Sequence, residues 1–256
     1  MLEHVQAIRY VTPLREGGSL PGIVEADDDG TYVVKFRGAG QGLKVLVAEV
    51  IVGEIGRAIG VRVPEMRAVT LDARIAKFEA DQEVQDLLTA SVGLNLGVDF
   101  LPGSFGYDGS RPPSPQEAAR ILWLDAFTAN PDRTWSNPNL LVWHARTWAI
   151  DHGAALYFHH WWPGRGSDPA RFAAQGFDAS KHVLLEVADD LWPLHEDLAA
   201  GVRTALADGV LAQVPDEWLE PTAAMPDPES VRQAYRLSLL ARLEHPCAWL
   251  PAGVHS

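Results

Sequence analysis

Within residues 102–115 of this 256-residue chain fall Pro102, Pro112, Pro113 and Pro115 together with Gly103, Gly106 and Gly109. Proline interrupts helices and ladders, and glycine costs the most backbone entropy, so the stretch reads as a connecting segment that no long element can cross. The texture differs on its two sides. Before it, alternating and β-branched runs at residues 4–11, 21–26, 31–36 and 66–71 predict strands. Asp27, Asp28, Asp29 and Gly30 separate the second and third of these and predict a tight antiparallel hairpin, with the glycine taking the positive φ. From Val45 the period changes: Val45, Ala48, Val52, Ile55 and Ile59 recur at helical spacing and Gly60 follows, which predicts a helix of about four turns. A helix over 81–90 and a strand over 97–101 complete this part. Beyond it, Ser114 and Glu117 form a capping box with Pro115 at the first helical position, opening a helix to about Thr128. Further helices are expected over 179–189, 193–211 and 227–244. The expectation is an α+β chain of two lobes: residues 1–98 on an antiparallel sheet and 99–256 mainly helical, with a ligand site between them.

Composition narrows the function classes. Lys+Arg 21 against Asp+Glu 34 gives a net charge of −13, which disfavours nucleic acid as a partner because that binding is driven by neutralising phosphates. The single Cys247 excludes an intrachain disulfide framework and a Cys-rich zinc site. No basic region followed by an apolar stretch opens the chain, and the apolar run 45–59 is interrupted by Glu49 and Glu54. A cytoplasmic protein with no membrane partner is expected.

The chemistry concentrates in two stretches, NPDRTWSNPNLLVW at 130–143 and WAIDHGAAL at 148–156. Asp132 and Asn137 lie five apart in a loop before the strand-like 140–143, and Asp151 follows a second short strand at 148–150. A hairpin joining the strands brings Asn137 and Asp151 together from opposite arms. Hard cations such as Mg²⁺ take such oxygen ligands and keep phosphates and water in the remaining positions. Singly, each residue also reads as a turn former or strand-end cap. Together, their order of Asp, Asn five on, hairpin, then Asp-x-Gly is the layout of phosphoryl transfer in kinases. His152, His159 and His160 lack the spacing of a zinc site.

Residues 130–156, with GTYVVKFRG (30–38), VAEVIVGEIGRAIGVRVPE (47–65) and GVDFLPG (97–103) in the same order upstream, resemble the HipA-like kinases, atypical members of the protein-kinase-like superfamily. More distantly they resemble the type II phosphoinositide kinases. The resemblance implies a two-lobed protein-kinase-like fold and a kinase that uses ATP and Mg²⁺. Asp132 would be the catalytic Asp that accepts or orients the acceptor hydroxyl proton, Asn137 and Asp151 would hold magnesium, and Lys35 would contact nucleotide phosphates. Periodicity leaves Lys35 open, since it shares a mixed face with Val33 and Arg37. A lysine there needs an acidic partner, and Glu49 and Glu54, five apart on a helix, diverge by roughly 140°. Glu54 has Arg57 three residues on, whereas Glu49 sits on the apolar stripe, where the HipA-like pattern also puts its helix Glu. Gly17, Gly18 and Ser19 could fold over phosphates, and the run Gly38 to Gly42 is an equal candidate. Phe100 and Leu101 are placed toward adenine. Two departures stand out: Asn130-Pro131 precedes Asp132 where His-Arg is usual, and His152 replaces the Phe of Asp-Phe-Gly. The acceptor is open among protein, small molecule and self. Two rival readings are a nucleotide-binding pseudokinase or interaction module, and a metal-dependent hydrolase using Asp132, Asp151 and His152.

Overall fold

The computed structural model describes residues 1–15, 20–40, 42–77 and 79–251. The chain divides into two compact units, Met1–Leu46 with Pro64–Pro102, and Val47–Val63 with Gly103–Ser256. Helix α1 (Leu43–Ala58) begins in the first unit and continues in the second.

In the first unit β1 (His4–Pro13), β2 (Gly22–Ala26), β3 (Thr31–Lys35), β4 (Met66–Leu71) and β5 (Gly93–Asp99) close into a barrel in the order β1-β2-β3-β5-β4. All pairings are antiparallel except β1 with β4. The period of two decides what fills it: Val24 and Ala26 on β2 and Tyr32 and Val34 on β3 point inward with Val5, Ala7, Val69 and Leu71. Short α2 (Ala73–Ala76) and α3 (Gln82–Ala90) follow β4, and Leu88 of α3 joins the same core. Asp81 caps α3 by accepting from the Glu83 and Val84 amides at 3.0 and 3.4 Å.

Two features of this unit differ from the sequence pattern. In the β2–β3 hairpin the left-handed residue is Asp29 (φ 63°) rather than Gly30. Asp28 explains the shift, because its carboxylate accepts from the Gly30 amide at 2.9 Å and from the Tyr32 hydroxyl at 2.6 Å, and a Cβ on Gly30 would meet that hydroxyl at 2.6 Å. The strand expected over 97–101 runs instead over Gly93–Asp99. Gly97 within it is a packing glycine whose Cβ would stand 2.5 Å from Val69 of the neighbouring strand.

In the second unit α4 (Pro115–Thr128) forms as the sequence predicts, with Ser114 and Glu117 making the reciprocal capping box and Pro115 in the first turn. Nearly every residue from Ala118 to Thr128 is buried, and Gly56 lets α1 approach closely, since a Cβ there would be 3.0 Å from Leu124. Strands β6 (Phe105–Gly106), β7 (Leu140–Trp143) and β8 (Arg146–Ala149) form a three-stranded antiparallel sheet in that order. The β7–β8 turn rests on His144 (φ 48°) and Ala145 (φ 56°), left-handed without glycine or asparagine, so β8 starts before the strand expected at 148. The short helices α5 (Trp162–Arg165) and α6 (Pro169–Ala173) follow.

The helix expected over 179–189 does not form. His182 makes a bridge to Thr134, and the Val183 amide donates to the Arg133 carbonyl at 3.0 Å, so backbone groups a helix would need are spent on long-range bonds. The helix expected over 193–211 is α7 (His195–Ala207), flanked by 3₁₀ turns at Trp192–Leu194 and Val210–Gln213 and stopped before Gly209 at φ 91°. Helices α8 (Pro228–Leu243) and α9 (Pro246–Trp249) close the chain. Buried Arg242 of α8 donates to the carbonyls of Ala126, Phe172 and Gln175. Among the described residues, no helix is long and apolar enough to cross a membrane.

Candidate active site

The β7–β8 hairpin sets out the loops that carry Asp132, Asn137 and Asp151. Leu140 faces Ala149 in the ladder, and just beyond it the Ile150 amide donates to the Asn139 carbonyl at 3.0 Å, so the ends of the two arms are stitched together. On the first arm, Thr134 and Asn137 exchange backbone hydrogen bonds of 3.0 and 3.1 Å across a tight turn, with exposed Trp135 at its tip stacked on Tyr107. Half-buried Asp132 accepts at Oδ2 from Asn137 Nδ2 at 2.9 Å and, at longer range, from Asn139 Nδ2 at 3.4 Å. Asn139 Nδ2 also reaches the Asp132 carbonyl at 2.7 Å, and the Asp132 amide donates to Asn130 Oδ1 at 3.2 Å. With its amide nitrogen turned to a carboxylate, Asn137 presents its Oδ1 away from Asp132. On the second arm, exposed Asp151 takes a left-handed φ of 56°, and the next amide, His152 N, donates to Glu49 Oε2 at 3.0 Å. Ala129, Asn139, Asp151 and Leu156 are all left-handed at φ 48–56°, one at each junction between an element and a loop. Strained backbone of this kind persists where surrounding contacts over-determine it.

Beneath the loops lies a buried ionic network. Asp125 of α4 is inaccessible, and its carboxylate accepts from Asn130 Nδ2 (2.8 Å), His182 Nε2 (3.0 Å), and Arg133 through Nε and Nη2. Burial alone would raise the Asp125 carboxyl, but the Arg133 charge and the His182 hydrogen bond outweigh it and hold it well below the usual carboxylate range. Arg133 Nη1 donates to the carbonyls of Asn139 and Ile150, and Nη2 to His152 Nδ1 at 3.3 Å. Since a guanidinium only donates, His152 Nδ1 is the acceptor. By the same reasoning the Leu184 amide, donating to His182 Nδ1 at 3.2 Å, leaves His182 Nε2 to carry the proton toward Asp125.

Of the residues singled out in the sequence, Asp132 and Asn137 are brought into direct contact, and Glu49, buried at 2% exposure, meets the residue after Asp151. Glu54 pairs with Arg57 at 2.6 Å, the surface pair that its spacing suggests. Lys35, Phe100 and Leu101 belong to the first unit: Lys35 is half-buried on β3 opposite Leu96, the Phe100 amide donates to the Thr31 carbonyl at 3.0 Å, and Leu101 is buried. Gly17, Gly18 and Ser19 lie outside the described residues. In the other glycine run, the Gly38 amide donates to Ser91 Oγ at the end of α3 at 3.1 Å, and the Gly42 amide closes the local turn on the Ala39 carbonyl at 2.9 Å. The residues that the sequence reading missed are Asp125, Arg133, Asn139 and His182. Asp125 carried a signal, as a lone carboxylate inside the apolar run ILWLDAFT, where burial demands a cationic partner.

The oxygen donors the loops offer for a metal, the Asn137 amide oxygen and the Asp151 carboxylate, are of the kind a hard cation such as Mg²⁺ takes. His152 is buried at 1% exposure beneath the loops, and among the described residues no three His, Cys, Asp or Glu side chains are gathered to hold a metal, so the trio required by the hydrolase reading is not assembled.

Comparison with solved structures returns the Golgi casein kinase with Mn/ADP bound, 13% identical with a TM-score of 0.46, and the Golgi casein kinase, 13% identical with a TM-score of 0.42. Each match covers 96% of this chain and 74% of the other. No curated protein matches significantly. A family model described as HipA-like kinase matches residues 7–160, well over half of the sequence and all of the Asp132, Asn137 and Asp151 loops. The chain belongs to the HipA-like kinase family.

Proposed function

We propose that the protein is a kinase that transfers the γ-phosphoryl group of ATP, with Mg²⁺, to a hydroxyl of an acceptor, with a protein the favoured class. The observation that carries this reading is the arrangement around Asp132. Its Oδ2 is committed to the Asn137 and Asn139 amides, which leaves Oδ1 for an acceptor hydroxyl. In this reading Asp132 Oδ1 orients that hydroxyl and receives its proton, while Asn137 Oδ1 and the Asp151 carboxylate hold the metal. Bound Mg²⁺ supplies charge neutralisation at the β- and γ-phosphate oxygens. Glu49, by accepting from the His152 amide, holds the Asp151 loop in place. Lys35 and the segment Gly17, Gly18 and Ser19 are assigned to the nucleotide phosphates, and Phe100 and Leu101 to adenine. Positioning and electrostatics do most of the work in such a transfer, so a rigid loop pair is what the chemistry asks of the chain.

The test is incubation with γ-labelled ATP, with and without cell extract, read by mass spectrometry for phosphate on the protein and on extract components, beside calorimetry with ATP in Mg²⁺ and in chelator. Phosphate incorporation that needs both Mg²⁺ and Asp132 is expected. ATP binding undiminished by chelator, with no phosphate on any acceptor, would overturn the proposal in favour of a nucleotide-binding module.

A further inference from the structure

The structure assigns to Arg133 a positioning role: clamped by Asp125 and His182, its guanidinium sets the separation between the Asp132–Asn137 loop and the Asp151 loop. Arg133 is 1% exposed, and its five N–H donors are all engaged. Nε and one Nη2 hydrogen meet Asp125, the other Nη2 hydrogen meets His152 Nδ1, and the two Nη1 hydrogens meet the carbonyls of Asn139 and Ile150. Those last two acceptors decide the argument. Asn139 lies two residues after Asn137, Ile150 lies one before Asp151, and Arg133 itself follows Asp132. One planar group therefore touches the flank of each of the three site residues, and it joins the two hairpin arms at their ends.

The clamp is completed from outside the family-matched span of 7–160. His182 donates to Asp125 Oδ2, the Leu184 amide fixes its tautomer, and the Val183 amide donates to the Arg133 carbonyl. The turns around residues 180–187 thus act as a brace that keeps the Asp125 carboxylate aimed at Arg133. A lysine at 133 brings three donors on a flexible stem and cannot match a planar five-donor fork.

The kinetic part of this inference rests on the kinase reading; the dynamic part does not, and the experiment is built on both. Arg133→Lys is expected to lower kcat about 10²-fold, more than KM for ATP rises, as a displacement of about an ångström in the reacting groups does. His182→Ala is expected to lower kcat about tenfold, and His182→Gln, which returns a donor at similar reach, to recover most of that loss. Amide hydrogen exchange gives the readout that needs no activity: Asn137 and Ile150 should exchange at least about tenfold faster in Arg133→Lys and in His182→Ala, with α8 amides unchanged. Wild-type kcat in folded Arg133→Lys, or unaltered exchange at both amides in the His182→Ala protein, overturns the positioning role. Absence of any transfer in the wild type overturns the kinase reading alone and leaves the exchange result to decide the brace. Should Arg133→Lys fail to fold, the His182 pair of variants carries the test.

Discussion

Asp132→Asn separates chemistry from architecture more cleanly than any other substitution at the site. Two amides, Asn137 Nδ2 at 2.9 Å and Asn139 Nδ2 at 3.4 Å, converge on the same oxygen of Asp132. An asparagine side chain satisfies both by placing its Oδ1 where Oδ2 was, which forces its NH₂ into the place of the other oxygen. The loop is kept, and a donor with no basicity stands where a proton should be accepted. Hydrogen bonds to a charged acceptor contribute about 1.5–3 kcal/mol against about 0.5–1.5 for a neutral one. Over one good and one long bond at a half-exposed carboxylate, the structural cost is then about 1 kcal/mol, or about 2–4 °C in melting temperature for a chain of this size. The catalytic cost is larger, because a positioned base is worth about 10²–10⁴ in rate, about 3–5 kcal/mol of barrier. Asp132→Ala removes the acceptor of both amides and should cost stability as well. The assay is phosphate transfer from labelled ATP beside ATP affinity by calorimetry and thermal melting for the three proteins. Asp132→Asn should show near wild-type affinity and melting with transfer lowered at least about 10²-fold. Transfer at the wild-type rate by Asp132→Asn would remove this residue from the mechanism, and a loss of melting temperature beyond about 8 °C would refute the derived hydrogen-bond arrangement.

Asp151→Asn should weaken both metal-dependent ATP binding and transfer, since its carboxylate acts before any chemistry; calorimetry with and without Mg²⁺ checks this, and an unchanged Mg²⁺ dependence would sink it. Lys35→Met should reduce ATP binding or transfer more than Lys44→Met, measured side by side, and equal effects would return Lys35 to an ordinary strand residue. Because the Asp125 carboxyl is held below its unfolded value, its contribution to stability is present above the ordinary carboxylate pKa of about 3.9 and is lost as pH falls through the folded value. Urea midpoints followed from pH 7 to pH 3 should therefore fall more steeply below about pH 4 for the wild type than for Asp125→Asn, and parallel curves would contradict the assignment. Gly97→Ala should destabilise the barrel by about 1–3 kcal/mol through overlap with Val69, read by denaturant unfolding; a neutral effect would show that β4 can yield.

What could be read from the chain in advance follows from which forces were local. The Ser114 capping box, the alternation along β2 and β3, and the Glu54–Arg57 spacing are short-range patterns, and each reappears in the fold. The Asp132–Asn137 contact is local too, spanning five residues. The failures involve partners far away in sequence. The irregular path of residues 180–187 is dictated by Arg133 and Asp125, roughly 50 residues upstream, so its apolar spacing imitated a helix. The β7–β8 turn uses His144 and Ala145 in a conformation they disfavour, and no turn residue announced it. The strand expected from Gly97 begins at Gly93, because its first residues pair with β4, which is distant in the chain. Within the site, residues that present oxygen to solvent were visible as types, whereas the buried set that aims them was not, apart from the isolated charge of Asp125 in an apolar helix.

The closure of the five-stranded barrel limits how a substrate or partner can engage the first unit. With β1 paired to both β2 and β4, and β5 lying between β3 and β4, each of the five strands has a neighbour on each side, and the open stretch is confined to β1, which meets β4 only at His4, Val5 and Gln6 and from Ala7 to Pro13 pairs with β2. Strand addition requires a free edge, so an extended peptide could lengthen this sheet only along the second half of β1. Elsewhere on the barrel a macromolecule is read through side chains and loop tips, and the same pairing shortens the template through which exposed strands recruit one another into aggregates.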